Sequence, residues 1–92
     1  MTEKDAALGR KLMIDELKTT NLYEQMADEA DDEATADVIR DVADEEKVHT
    51  GEGAAIVAVN DPRAKLAMKE GVKEAAEHIP SIQEVFDHFD EY

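Results

Sequence analysis

Cysteine is absent from the 92 residues. Disulfides are excluded, the compartment is left open, and the cytosol is the default expectation. Apolar runs are short, far below the roughly 20 residues that cross a bilayer. The opening stretch "MTEKDAALGRK" has no apolar signal core, so neither membrane insertion nor secretion is expected. Basic residues are scarce: 10 Lys and Arg stand against 24 Asp and Glu, a net charge of -14. Such a surface is a poor partner for nucleic acid. Large apolar residues are few as well, with five Leu, five Ile, seven Val and two Phe. That is close to the level at which high net charge favours disorder. Alternating apolar and polar residues are missing, which argues against strands, and there are no repeats or linkers. One small domain over residues 1–92 is expected, with a core lean enough to need a metal or a partner chain. The self-repulsion has two remedies, bound cations or a salty cytoplasm that screens it.

What the chain has is Ala, Glu, Lys, Leu and Met, which favour helix. The periodicity predicts a helix from about residue 4 to 29 and a second from about 33 to 59. "EADDEA" separates them, with Asp31 or Asp32 as the N-cap of the second. In "VNDPRAK", Asp61 suits an N-cap and Pro62 a first helical position, opening a third helix over about 62–78. After Pro80, "SIQE" reads as a capping box for a last short helix to about residue 90. Gly51 and Gly53 each cost about 1 kcal/mol in a helix interior. The rhythm nevertheless runs through them: Ile39, Val42, Glu46, His49, Gly53 and Ile56 alternate by three and four residues. Glycine on that face would let another backbone come close. The expected architecture is all-α, an antiparallel helical hairpin followed by shorter C-terminal helices.

Glu46 and His49 fall where this second helix should hide apolar residues. Glu16 interrupts the first helix in the same way, within Leu8, Leu12, Glu16, Thr19/Thr20, Tyr23, Ala27 and Ala30. A charge in an apolar seam costs several kcal/mol unless it is paired or binds metal. In an antiparallel hairpin, Glu16 and Glu46 are equally far from the bend at Asp31, about 22 Å along each helix. Glu16, Glu46 and His49 should therefore meet. Two carboxylates and an imidazole suit iron or manganese, and zinc also fits. The bland alternative is a set of interhelical salt bridges with Lys18 and Lys47.

Three ligands are half a set. Dinuclear carboxylate sites in helical bundles take a lone Glu from each of two helices and Glu-x-x-His from each of two others. This chain offers one lone Glu (Glu16) and one Glu-x-x-His (Glu46 and His49). Two chains around a twofold axis would complete a four-helix bundle and a two-metal site together.

"DELKTTNLYEQMADEADDEATADVIRDVADEEKVHTGE", residues 15–52, resembles the encapsulated ferritin family, half-size ferritin-like proteins carried inside or fused to encapsulin shells. The likeness is to the ferritin-like domains of archaeal encapsulins, in which "NLYEQMA" and "EEK-H" recur. It runs over about residues 8–75 and includes "NDP" at 60–62. The resemblance implies a helical hairpin with a short third helix. It also implies pairing into a ferritin-like four-helix bundle with a di-iron ferroxidase site at the interface, and rings of dimers such as a decamer. Site residues carry over onto Glu16, Glu46 and His49, and Tyr23 matches a tyrosine close to the site. Fe2+ and dioxygen are the implied substrates, an encapsulin shell the implied partner, and the inside of a cytoplasmic nanocompartment the implied location.

There are departures. Relatives carry acidic residues beside the lone Glu that attract incoming metal; Asp15 fits that pattern here and Lys18 does not. The tail "PSIQEVFDHFDEY" lacks the Gly/Leu-rich cargo-loading pattern of free-standing members. The expected activity is iron oxidation for storage with a shell. The alternatives are a metal-stapled helical assembly without turnover, other divalent cations included, and an acidic helical adaptor without metal. His78 and His88 read as surface or capping residues, and Met13, Met26 and Met68 as packing. Asp41, Asp44, Glu45 and Glu52 read as a solvated face, and Glu24 as the one rival ligand, which falls off the Glu16 face and is ranked behind the set.

Overall fold

The computed structural model describes the backbone of residues 1–89 and the side chains of residues 1–85. It is all-α: α1 (Glu3–Glu29), α2 (Glu33–Asn60), α3 (Pro62–His78) and α4 (Ser81–Phe89), with no strand among the described residues. The chain divides into two compact units, Met1–Asp61 and a second beginning at Pro62.

The helix starts follow the capping residues. The Thr2 hydroxyl accepts from the Asp5 N–H, a bond whose loss typically costs about 1 kcal/mol. Of the two candidates at the bend, Asp32 is the cap. Its carboxylate accepts from both the hydroxyl and the N–H of Thr35, and these bonds hold its pKa below the usual carboxylate range. Glu3, Asp5 and Glu33 complement the positive helix starts. Helix α2 runs unbroken through Gly51 and Gly53, and Pro62 opens α3. Ser81 differs from expectation, being the first residue of α4 rather than its cap. The turn begins earlier, with Ile82 N–H donating to the Ile79 carbonyl and Gln83 N–H to that of Pro80.

Helices α1 and α2 pack antiparallel. Their seam is narrower than the apolar pattern suggested. Buried or half-buried positions run Ala6, Gly9, Met13, Glu16, Thr20, Tyr23 and Ala27 on α1. On α2 they run Ala36, Ile39, Ala43, Glu46, Thr50, Gly53 and Val57. Both series alternate by three and four, the rhythm of a coiled-coil seam. The expected face is thus rotated: Leu8, Val42, His49 and Ile56 flank the seam and are exposed, and Leu12 is half-buried. The reason is close backbone approach. A Cβ on Gly9 would stand 2.8 Å from Ile56 Cγ2 and 3.0 Å from the Val57 nitrogen. One on Gly53 would stand 2.7 Å from Met13 Cγ and 3.2 Å from the Gly9 carbonyl oxygen. At these two positions only glycine fits between the backbones. Gly51, by contrast, faces open space.

The open end of the hairpin is tied. Thr2 N–H donates to Asn60 Oδ1 at 3.1 Å, and Arg10 lies 3.6 Å from Asp61. One side of the hairpin is salt-bridged: Lys47 reaches Glu24 at 2.8 Å across the helices and Asp44 at 3.0 Å on its own. The Glu24 bond, then that to Asp44, pushes the Lys47 pKa up. The other side is apolar. Helical spacing aligns Leu8, Leu12 and Met26 along α1, and Val38, Val42 and Ile56 along α2 beside His49.

In the second unit α3 packs on α4. None of the α3 residues is fully buried; Val72, Ala76 and Ile82 are half-buried. His78 is exposed in the last turn of α3. The side chain of His88 lies outside the described residues.

Candidate metal centre

Glu16 and Glu46 hold the same position relative to their caps, Thr2 and Asp32, near the middle of helices 27 and 28 residues long. Antiparallel helices of matched length bring their midpoints to one height, so the two carboxylates meet across the seam. His49, three residues beyond Glu46, turns toward the same point. Its Nδ1 lies 3.5 Å from Oε2 of Glu16 and 3.5 Å from Oε2 of Glu46. One ligand-capable atom from each of the three falls within 4.8 Å of the others.

The carboxylates are sheltered and the imidazole is open. The Glu16 and Glu46 side chains are 18% and 16% exposed, that of His49 47%. Glu16 Oε2 is buried and accepts no hydrogen bond. An unsatisfied buried carboxylate oxygen costs well over the about 1–3 kcal/mol of a neutral group unless a cation or proton donor meets it. No Lys or Arg lies within ion-pair distance of Glu16 or Glu46 among the described residues, and the expected alternative partner Lys47 is engaged on the opposite side.

The donor spacing fits a cation. Two ligand atoms each about 2.1 Å from one ion lie about 3.0–3.4 Å apart in tetrahedral or octahedral arrangements. The two imidazole–carboxylate separations of 3.5 Å need only a small adjustment to reach that range, and all three donors lie within 4.8 Å of one another. Two carboxylates match the charge of one divalent cation, and the imidazole adds a borderline donor that iron, manganese and zinc accept. Three donors are fewer than the four to six that these metals take, so a bound ion would keep positions for other ligands.

The remaining candidates lie elsewhere. Tyr23 is half-buried on the α1 seam, two turns and about 10 Å along the axis from Glu16. Glu24 is held by Lys47 on the salt-bridged side. Asp15 and Lys18 are exposed. Thr20 entered the sequence reading only as a stripe position shared with Thr19, and Thr50 not at all, yet each bonds to a site glutamate's backbone. The Thr20 hydroxyl donates to the Glu16 carbonyl at 2.8 Å and the Thr50 hydroxyl to the Glu46 carbonyl at 3.0 Å. The repeated spacing Glu-x-x-x-Thr was the available signal.

Over 68 residues, 74% of the chain, the sequence is 43% identical to the ferritin-like-encapsulin shell fusion protein of Pyrococcus furiosus. The chain belongs to an encapsulin-associated ferritin-like family. It spans about a fifth of the length of that relative, 20%. No family model and no solved structure matches the chain. The ferritin-like hairpin is thus built here by α1 and α2, with both glutamates of the cluster inside its seam. No helix among the described residues is long and apolar enough to cross a membrane.

Proposed function

We propose that this chain is one half of a ferroxidase. Two copies pair through the apolar side of the hairpin, and two sets of Glu16, Glu46 and His49 come together to take two Fe2+ ions as substrate. The reading rests on one observation: a buried carboxylate oxygen without a hydrogen bond lies 3.5 Å from an imidazole that stands 3.5 Å from a second carboxylate, the three donor atoms all within 4.8 Å of one another. A second copy is the occupant of the apolar side because it supplies both things that are incomplete. It covers Leu8, Val38, Val42 and Ile56, and it brings the second half of the donor set. Covering a Leu, Ile or Val fully is worth about 1.5–3 kcal/mol, enough over several residues to offset the cost of association.

The protein's part is to bind and to position. The four carboxylates of a pair balance two divalent ions, and the seam excludes water from one side of the site. Each Fe2+ would give up one electron, so the two ions of a pair would together reduce one dioxygen to hydrogen peroxide, with two protons drawn from solvent, and release Fe3+. Tyr23 lies too far along α1 to touch the Glu16 set of its own chain, so any role in the reaction is exercised from the surrounding wall. A hairpin of two helices, α1 and α2, has no room to store mineral, so an encapsulin shell, joined by fusion or enclosing rings of these dimers in the cytoplasm, is the proposed destination of the product.

The test is anaerobic addition of Fe2+ followed by air, with oxygen uptake and ferric absorbance compared between the wild type and Glu16→Ala. Oxidation that depends on Glu16 is expected. Equal rates in the two proteins would remove the enzymatic reading, while metal-dependent pairing without oxidation would leave a stapled assembly module.

A further inference from the structure

Thr20 and Thr50 occupy seam positions that Ala fills elsewhere in the hairpin. A hydroxyl in a closed seam is costly unless it is hydrogen-bonded. Both hydroxyls are bonded, and both choose the same kind of acceptor. Thr20 donates to the carbonyl of Glu16 at 2.8 Å, and Thr50 to that of Glu46 at 3.0 Å. The pair recurs on two helices running in opposite directions. Thr20 therefore lies on the bend side of the carboxylate cluster and Thr50 on its open-end side.

Back-bonding of this kind is a general habit of Thr in helices, and Thr19 does the same to Asp15 at 2.8 Å. What distinguishes Thr20 and Thr50 is the acceptor. In a helix the Glu carbonyl already takes the N–H four residues on. A second donor fixes the peptide plane beside the ligand and biases the local bend of the helix. The Cα–Cβ direction of Glu16 or Glu46 is set by that backbone. Each carboxylate lies 3.5 Å from the His49 ring nitrogen, and the three donor atoms fall within 4.8 Å of one another, which leaves little room for drift before a shared ion loses a ligand.

We infer that Thr20 and Thr50 are a matched pair of positioning residues, each holding the backbone of a metal-binding glutamate so that the two carboxylates present themselves to one ion. This rests on the metal-centre reading of Glu16, Glu46 and His49 given above. Partners that orient metal ligands typically contribute about 10–100-fold in metal affinity, and a bond made through the backbone belongs at the lower end.

The experiment is titration with Co2+, followed by its visible absorption bands, which report both affinity and coordination geometry without turnover. The protein is compared with Thr20→Val, Thr20→Ser, Thr50→Val, Thr50→Ser and Thr19→Val. Val keeps the shape and loses the bond; Ser keeps the bond. The expected result is about a tenfold loss of Co2+ affinity with altered bands for Val at 20 and 50. Ser at those positions retains near wild-type binding, and Thr19→Val is unchanged. Where circular dichroism shows that Thr20→Val lowers the folded fraction, Thr50→Val, at a half-exposed position, carries the same comparison. Val variants that bind as well as the wild type would overturn the inference. So would equal losses in Ser and Val, which would assign the effect to packing, or an equal loss in Thr19→Val. A wild type that binds no Co2+, with Glu16→Ala indistinguishable from it, defeats the metal-centre reading itself.

Discussion

His49 Nδ1 on α2 stands 3.5 Å from Glu16 Oε2 on α1, across the hairpin. The pair joins a buried acceptor with no hydrogen bond to a ring that is half in solvent. A contact built only to hold two helices together would close a hydrogen bond there. This arrangement instead leaves donor atoms turned toward a common point, at the border between the closed seam and the open apolar side. On the proposed reading, binding, pairing and stability are coupled at one place.

Removing one carboxylate tests the coupling. Glu46→Ala deletes a proposed ligand and a seam charge at once, so it should abolish Fe2+-dependent stabilisation of the fold. In the wild type, each increase in free Fe2+ above its dissociation constant should raise the melting temperature by mass action. Melting curves at graded anaerobic Fe2+ check this. A variant that still gains stability from Fe2+ would exclude Glu46 as a ligand.

The glycines separate two effects of one substitution. Gly51→Ala adds a methyl to open space and should stabilise by about 0.5–1 kcal/mol through helix propensity. Gly53→Ala drives a Cβ toward Met13 and the Gly9 carbonyl oxygen and should destabilise by about 1–3 kcal/mol despite the same propensity gain. Urea denaturation of both variants measures the two signs, and a stabilised Gly53→Ala would refute the close backbone approach.

The bend carries a pH signature. The hydrogen bonds from Thr35 lower the pKa of Asp32 from its ordinary 3.8. A depressed carboxylate contributes stability that is present above the unfolded value and lost as pH falls through the folded one. The stability difference between the wild type and Asp32→Asn should therefore be flat above about pH 5 and shrink on acidification below 3.8. Thermal melts from pH 2 to 7 follow it, and a constant difference across that range would remove Asp32 as a charged cap.

The two sides of the hairpin should respond differently to charge. Val42→Glu places a carboxylate on the apolar side and should shift the protein from pairs to single chains, with iron oxidation lost and helicity kept. Lys47→Gln alters the salt-bridged side and should leave pairing and metal affinity unchanged. Sedimentation velocity distinguishes these outcomes; a monomeric Lys47→Gln together with a paired Val42→Glu would place the interface on the wrong side.

The sequence made the hairpin legible through its caps and breaks. Asp32 and Pro62 punctuate the chain where backbone chemistry requires it, and apolar rhythm carried α2 through Gly51 and Gly53. The level match of Glu16 and Glu46 was legible because antiparallel geometry depends only on distance from the bend. The seam itself was not. Leu8, Val42 and Ile56 have the larger transfer energies and were placed inside, but the close approach at Gly9 and Gly53 turns the seam onto a face where the buried positions are Ala, Gly, Thr and Val57. Periodicity alone gives a face to within one residue, and glycine decided which side of that face was closed. Thr20 and Thr50 stayed hidden because a hydroxyl that bonds backward along its helix leaves no mark in an apolar pattern.

The most direct test counts Fe2+ ions against chains. Native mass spectrometry of the protein loaded anaerobically with Fe2+ should show two ions per pair of chains and none retained by single chains, with both ions lost in Glu16→Ala. Single chains that hold iron as firmly as pairs, or pairs that form and bind none, would contradict a site completed by self-association.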